Sequence, residues 1–386
     1  MTSKKSILPQ GRPSRRRRPC ARRAGARPPG ARKRRGVCWW LALGLAAAGP
    51  AQAHVKWFVR FDAAQAPLPL AEVLTGNFVA LFLVSLLVVH LCLAGDRHLA
   101  RNARNERSAR PGPGHGIVRH ADRISMLVMR TAAGVFFVAL ALIGLLGGGA
   151  FLLTPELTTP WPLVPWLQLA MGLCALSAPA LPLIGVGIVV LYVCAVWVYG
   201  LFHMTDYLIF LGLAYFFIAH GSARAAARVP PYAALYVGAL LTLLWASIEK
   251  FAYPGWSYAL LCGSPGMLMG LSPERYMPLA GFVEFNIAFM LLCASSRLFR
   301  VMASGLLAVF ALAIVEFGWI DAVGHLVFIA ILAVMAVRGP GRAPGIAVPP
   351  APSRPWGPYA VTGLYALALL LTFIAYYGGH RLYYGR

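Results

Sequence analysis

Leu312-Ala-Ile-Val-Glu316-Phe-Gly-Trp-Ile-Asp321-Ala-Val-Gly-His325-Leu-Val-Phe328 is the stretch on which the fold turns. It joins two apolar runs, 299–317 and 321–338. Each is close to the ~20 residues that a membrane-spanning helix needs. Two acids and a histidine sit at the seam, and the i, i+4 spacing puts Asp321 and His325 on one helical face. A charged side chain deep in hydrocarbon costs ~3 kcal/mol even on lenient scales, so such groups turn inward and often mark function.

The same pattern recurs along the chain, which is 59% hydrophobic and only 12% charged. About ten segments are candidate spans: 73–95, 130–152, 163–178, 180–200, 206–221, 232–250, 277–295, 299–317, 321–338 and 358–378. This predicts an all-α, polytopic transmembrane bundle. Other acids and histidines recur near segment ends, namely His203, Asp206, Glu249 and Glu284. There is no nucleotide fingerprint, no Ser-His-Asp order and no Cys-x-x-Cys. A soluble catalytic domain, a disulfide framework and a thiolate metal site are therefore not expected.

The first 35 residues differ. They are Arg- and Pro-rich and hold fourteen of the positive charges behind the net +23. Val37–Ala48 is apolar and is followed by Ala51-Gln52-Ala53. Basic region, apolar region and small-x-small site in that order read as a signal peptide over 1–53. An uncleaved first helix is the alternative, and a nucleic-acid arm is the least favoured reading, so no nucleic-acid partner is expected.

Arginines orient the remainder. Segment 96–129 carries Arg97, Arg101, Arg104, Arg107, Arg110, Arg119 and Arg123, and reads as a flexible cytoplasmic linker able to touch anionic lipid. Counting spans from there places Arg224, Arg228, Arg297, Arg300, Arg338, Arg342 and Arg354 inside as well. The loops 153–162, 201–205 and 318–320, which hold no Lys or Arg, fall outside. A bacterial inner-membrane protein with mature N-terminus and C-terminal tail outside is expected. All seven ionisable groups then share one leaflet.

Val198-Tyr-Gly-Leu-Phe-His203-Met-Thr-Asp206-Tyr207-Leu-Ile-Phe aligns without a gap on Glu316-Phe-Gly-Trp-Ile-Asp321-Ala-Val-Gly-His325-Leu-Val-Phe. Gly200 falls on Gly318 and Gly221 on Gly339. This suggests two parallel four-helix units, 130–222 and 223–339. Segment 54–129 precedes them with the first span, and 340–386 follows with a linker, the last span and a short tail.

Leu244-Trp-Ala-Ser-Ile-Glu249-Lys250-Phe-Ala-Tyr-Pro254, Gly281-Phe-Val-Glu284-Phe and the Glu316–His325 stretch resemble the DoxX-like integral membrane proteins. The resemblance covers the second unit well and the first weakly. It implies four-helix units and, for the DoxD branch, association with thiosulfate:quinone oxidoreductase. An Arg often opens the first helix of that pattern. Arg130 fits, whereas the second unit opens with Pro230-Pro231-Tyr232.

Three functions are carried forward. In the first, Glu249, Glu284, Glu316, Asp321 and His325 handle protons for a quinone-linked redox component, alongside a membrane or periplasmic redox partner. The plain counterpart is a structural network, with Lys250 snorkelling outward to neutralise Glu249. In the second, copper binds at the outer face. Cleavage after Ala53 would leave His54 with a free amine beside its imidazole, an N-donor pair suited to Cu(II). His203-Met204-x-Asp206 supplies further donor types, although a solvated turn is its plain reading. In the third, the chain is a non-catalytic membrane anchor. Gly147-Gly148-Gly149 lacks the Lys-Ser/Thr of a phosphate loop and reads as close helix packing.

Overall fold

A computed structural model describes residues 62, 64–107, 115–147, 149–221, 226, 228–263, 265–294, 297–340 and 357–385. The signal-peptide region and His54 lie outside the described residues. The described chain is an all-α bundle: α1 Leu70–Val73, α2 Gly76–Arg107, α3 His115–Gly147, α4 Val164–Cys174, α5 Leu181–Tyr199, α6 Leu201–Met204, α7 Leu208–His220, α8 Pro231–Ala252, α9 Gly255–Gly263, α10 Pro273–Cys293, α11 Arg297–Phe317, α12 Trp319–Arg338 and α13 Gly357–Tyr384. A two-stranded hairpin, β1 Ala150–Phe151 and β2 Thr158–Thr159, joins α3 to α4 with Ala150 opposite Thr159.

Among the described residues nine helices are long and apolar enough to cross a membrane, with α6 and α7 counting as one. Their outer surface is apolar: Leu146, Trp197 and Val315 are each at least 84% exposed. That inverts the pattern of a water-soluble bundle and fits contact with lipid. The chain is a multi-pass membrane protein.

Three sequence expectations need correction. The third candidate span, 163–178, forms only the eleven residues of α4. That is roughly 16 Å of helix, about half the hydrocarbon thickness. Pro165 occupies its first turn, where a missing N–H is tolerated, and Pro179 and Pro182 confine the next helix start to Leu181. The chain still reverses direction there, because Pro165 packs on Gly144 while Ala175 reaches Arg130 of α3. Second, the expected flexible linker 96–129 is helical over most of its length, since α2 runs on to Arg107 and α3 starts at His115. Its Arg, Ala, Leu and Met residues are good helix formers. Third, Gly147 and Gly149 have open space around them, so they do not serve close packing.

Close packing comes from other glycines. A Cβ on Gly212 would lie 2.7 Å from the Ala234 carbonyl, and one on Gly238 would lie 3.0 Å from the Gly212 Cα. This lets α7 and α8 cross backbone to backbone. Gly134 and Gly172 do the same for α3 and α4. Gly200 and Gly318, superposed in the sequence alignment, both take left-handed φ (+86° and +80°) at the start of the next helix. The other aligned pair differs: Gly221 is right-handed at −87° and Gly339 left-handed at +76°.

Alternation of the helices sorts their ends. At one end Arg130 donates from Nε and Nη2 to the Ala175 carbonyl at 3.0 and 2.7 Å. Arg300 caps α12 through the Ala336, Val337 and Arg338 carbonyls. Arg338 pairs with Asp122 and lies 3.7 Å over the Tyr232 ring. This is the basic end. The hairpin, α6, the C-termini of α8 and α13 and the N-terminus of α12 gather at the other end. There Gln65 and Leu68 lie across the bundle, accepting from Tyr253, Trp256 and Tyr377. This is the acidic end.

Candidate functional site

Glu249 and Lys250 are consecutive residues in the last turn of α8, so their side chains leave the helix about 100° apart. Each therefore meets a different neighbour. Glu249 accepts a hydrogen bond from the Tyr376 hydroxyl of α13 at 3.2 Å. Lys250 points into the bundle and ion-pairs with Glu284 of α10. The expected outward snorkelling of Lys250 does not occur, for Lys250 is 7% exposed and Glu284 3%. The reason is local: Gly281 lets the Phe251 ring lie against α10, which brings the end of α8 within reach of Glu284 one turn along.

His203 and Asp206 are likewise not in a solvated turn. Gly200 ends α5, and the chain dips back into the bundle as α6 and a 3₁₀ turn, Thr205–Tyr207. His203 is 5% exposed and Asp206 1%. The backbone is pinned there by Tyr192, which donates to the Met204 carbonyl at 2.6 Å, and by Thr242 of α8, which accepts from Ile209 N–H at 2.9 Å. Asp206 lies within electrostatic reach of Glu284, Tyr192 and Tyr376. His203 Nε2 is 4.0 Å from Glu156 Oε1, and its ring packs against Tyr199 and Tyr207 at 5.7 Å. The hairpin holds Glu156 there. Gln168 donates to the Phe151 and Leu152 carbonyls, and Tyr199 to that of Thr158.

Asp321 and His325 form the expected pair on α12, Oδ1 to Nδ1 at 2.9 Å, both 2% exposed. The oxygen lies off the ring N–H line, so the contact is an ion pair or polar contact rather than a linear hydrogen bond. The His325 ring stacks edge-on to Phe310 of α11 at 4.8 Å. Glu316 falls in the last turn of α11, but its side chain is outside the described residues.

The structure thus brings the Lys250–Glu284 pair of α8 and α10 and the Glu249–Tyr376 pair of α8 and α13 within electrostatic reach of Asp206 in the Thr205–Tyr207 turn, with His203 of α6 and Glu156 of the hairpin loop as a separate close pair. Asp321 and His325 sit on α12, which packs mainly against α11 and α3. No three His, Cys, Asp or Glu side chains converge to hold a metal ion among the described residues.

Sequence reasoning missed Glu156, Tyr376 and His380. Glu156 is the sole acid of segment 153–162, which was read only for its lack of cations. Tyr365, Leu369, Phe373, Tyr376 and His380 recur at helical spacing, one buried face of α13 that could have been read from the pattern. His380 is fully buried among the rings of Phe202, Tyr253 and Tyr384, and neither ring nitrogen has a hydrogen-bond partner among the described residues. The expected short tail after Gly378 is in fact helix to Tyr384.

Compared with protein families, curated proteins and solved structures, the chain matches none. The DoxX-like resemblance rests on the short motifs quoted above alone.

Proposed function

We propose that this protein is a proton-handling membrane component whose working site is the buried group Asp206, Glu249, Lys250, Glu284 and Tyr376, with His203–Glu156 and Asp321–His325 as flanking pairs. The observation that carries this reading is the Lys250–Glu284 ion pair enclosed between two membrane helices with a further carboxylate, Asp206, in reach. Like charges in a low dielectric disfavour each other's ionised form, so a buried ion pair with a further carboxylate in reach exchanges protons more readily than an isolated pair. A purely structural pair would need no third charge, because an apolar pair of similar volume often holds helices as well or better.

The group suits quinone-linked redox chemistry, in which reduction takes up protons together with electrons. That is the reaction class the DoxX-like motifs point to, and a redox partner would supply the electrons. The acidic end faces outward in this reading, because the arginines gather at the opposite end. The supporting geometry is one-sided, as a periplasmic proton-exchange site would be.

Infrared difference spectroscopy on the purified protein in lipid nanodiscs tests the reading. A carboxyl C=O band should appear or vanish within about pH 4–10 while the fold persists, the range that brackets ordinary Glu and Lys titration. Glu284→Gln should remove that band and Lys250→Met should move it. If no buried carboxyl changes protonation across that range, the group is structural and the proposal fails.

A further inference from the structure

An open apolar groove of about 580 Å³ lies between α3 and α4, running from Arg130 and Thr131 at the basic end past the Gly134–Gly172 crossing to Leu142. Its walls face outward, with Val135 52% and Leu176 78% exposed. The glycine crossing makes the groove. Any side chain at Gly172 would collide with Val138 at 2.5 Å, so the helix backbones nearly touch while the larger side chains on either side stand away. The guanidinium at the mouth is fixed in place. Nε and Nη2 hold the Ala175 carbonyl, and Nη1 has no acceptor among the described residues.

We propose that this groove seats an anionic phospholipid, with an acyl chain along the Gly134–Gly172 crossing and the phosphate on Arg130 and Thr131. The argument is one of complementarity. The walls offer only hydrocarbon contact, the mouth offers a pre-oriented cation with a free donor, and a bidentate-capable guanidinium favours phosphate over a neutral head group. A basic pocket between membrane helices is the recognised setting for such lipids. A second groove of about 510 Å³ between α7 and α8 is built alike, ending on Arg228 at the same end and running along the Gly212–Gly238 crossing.

The test uses the full chain extracted from vesicles of equal phosphatidylglycerol and phosphatidylcholine, with retained lipid counted by native mass spectrometry. The wild type should retain phosphatidylglycerol preferentially. Arg130→Gln should weaken that retention roughly fivefold, the equivalent of the ~1 kcal/mol that one arginine contributes near an anionic surface. Because Arg130 also caps α4, Val135→Trp serves as the second variant. It fills the groove without touching the cap and should release the same lipid. Equal retention of the two lipids, or unchanged phosphatidylglycerol in Val135→Trp, would overturn the proposal. Displacement by inorganic phosphate alone would assign an anion site instead and overturn it too.

Discussion

Removing either partner of the Lys250–Glu284 pair leaves the other charge buried between α8 and α10 without its direct ion-pair partner, and the two removals should respond to pH in opposite directions. A lone buried charge can be neutralised by gaining or losing a proton, and that cost sets a ceiling on the damage. For Glu284 alone, as in Lys250→Met, neutralising at pH 7 a carboxyl that ordinarily titrates near 4.3 costs about 4 kcal/mol, at 1.36 kcal/mol per unit. For Lys250 alone, as in Glu284→Gln, the ordinary value near 10.4 gives about 5 kcal/mol. Both agree with the ~3–5 kcal/mol found when one partner of a buried pair is removed. The folded Lys250→Met protein then binds more protons than its unfolded chain, so it gains ~1.4 kcal/mol of stability for each unit that pH falls towards the ordinary carboxylate value. The folded Glu284→Gln protein binds fewer and gains as pH rises. Lys250→Met/Glu284→Met should lie within ~2 kcal/mol of wild type and be flat with pH. Unfolding in nanodiscs followed by tryptophan fluorescence at several pH values measures this. Parallel slopes for the two single variants, or a double variant as weak as the worse single, would refute the buried-pair reasoning.

Tyr376→Phe deletes the donor to Glu249 and should cost ~1–3 kcal/mol, read by the same unfolding assay; no loss would place the hydroxyl in water. Gly238→Ala forces a methyl to within 2.8 Å of the Leu208 carbonyl and should destabilise by ~3 kcal/mol, whereas Gly363→Ala meets nothing within 4 Å and should be neutral or stabilising by up to ~1 kcal/mol. Cys262 is exposed on α9 at the acidic end, while the other cysteines of the described residues are half-buried. With the acidic end outward, as proposed, a membrane-impermeant maleimide should label intact spheroplasts and fail on Cys262→Ser; labelling only after lysis would reverse the orientation. Proteoliposomes of the wild type should leak protons no faster than protein-free vesicles, followed with a trapped pH dye.

The membrane fold was legible because each span is a local property of some twenty residues, and hydropathy reads it directly. The exception is instructive. Segment 163–178 is apolar enough to be a span, but Pro165 and Pro179 trim its helix to eleven residues. The acids were legible as anomalies; their partners were not. Nothing in Glu249-Lys250 says that the lysine turns inward to a residue 34 positions away, because that depends on Phe251 fitting over Gly281. His203 and Asp206 read as a solvated turn because a short polar run between apolar ones usually is one. That they are buried follows from α6 folding back beneath the hairpin, a tertiary event. The burial of His380 was within reach, since the spacing of Tyr365, Phe373, Tyr376 and His380 already marks one face of α13.

The expectation of no proton leak comes from how polar and apolar layers alternate along that face. Tyr376 and its partner Glu249 form the layer at the acidic end. Three residues deeper, Phe373 joins Phe78, Phe251 and Phe282, with ring centroids 4.9–5.8 Å apart. Two further turns down α13, Tyr365 donates to Asn286, which donates to Ser85 of α2, a second polar layer in the middle of the bundle. Asn286 lies only two residues from Glu284 on α10, but two residues turn a helix by about 200°, so the two side chains face opposite ways. Glu284 belongs with Lys250 and Asp206, and Asn286 with α2 and α13. The phenylalanine layer between Tyr376 and Tyr365 is buried and close-packed, and its side chains offer a crossing proton no hydrogen-bonding group. The Asn286 network can therefore bind helices together by interhelical hydrogen bonds without conducting. On α8 and α10 the layer flanks the ion pair itself, since Lys250 precedes Phe251 by one residue and Glu284 follows Phe282 by two.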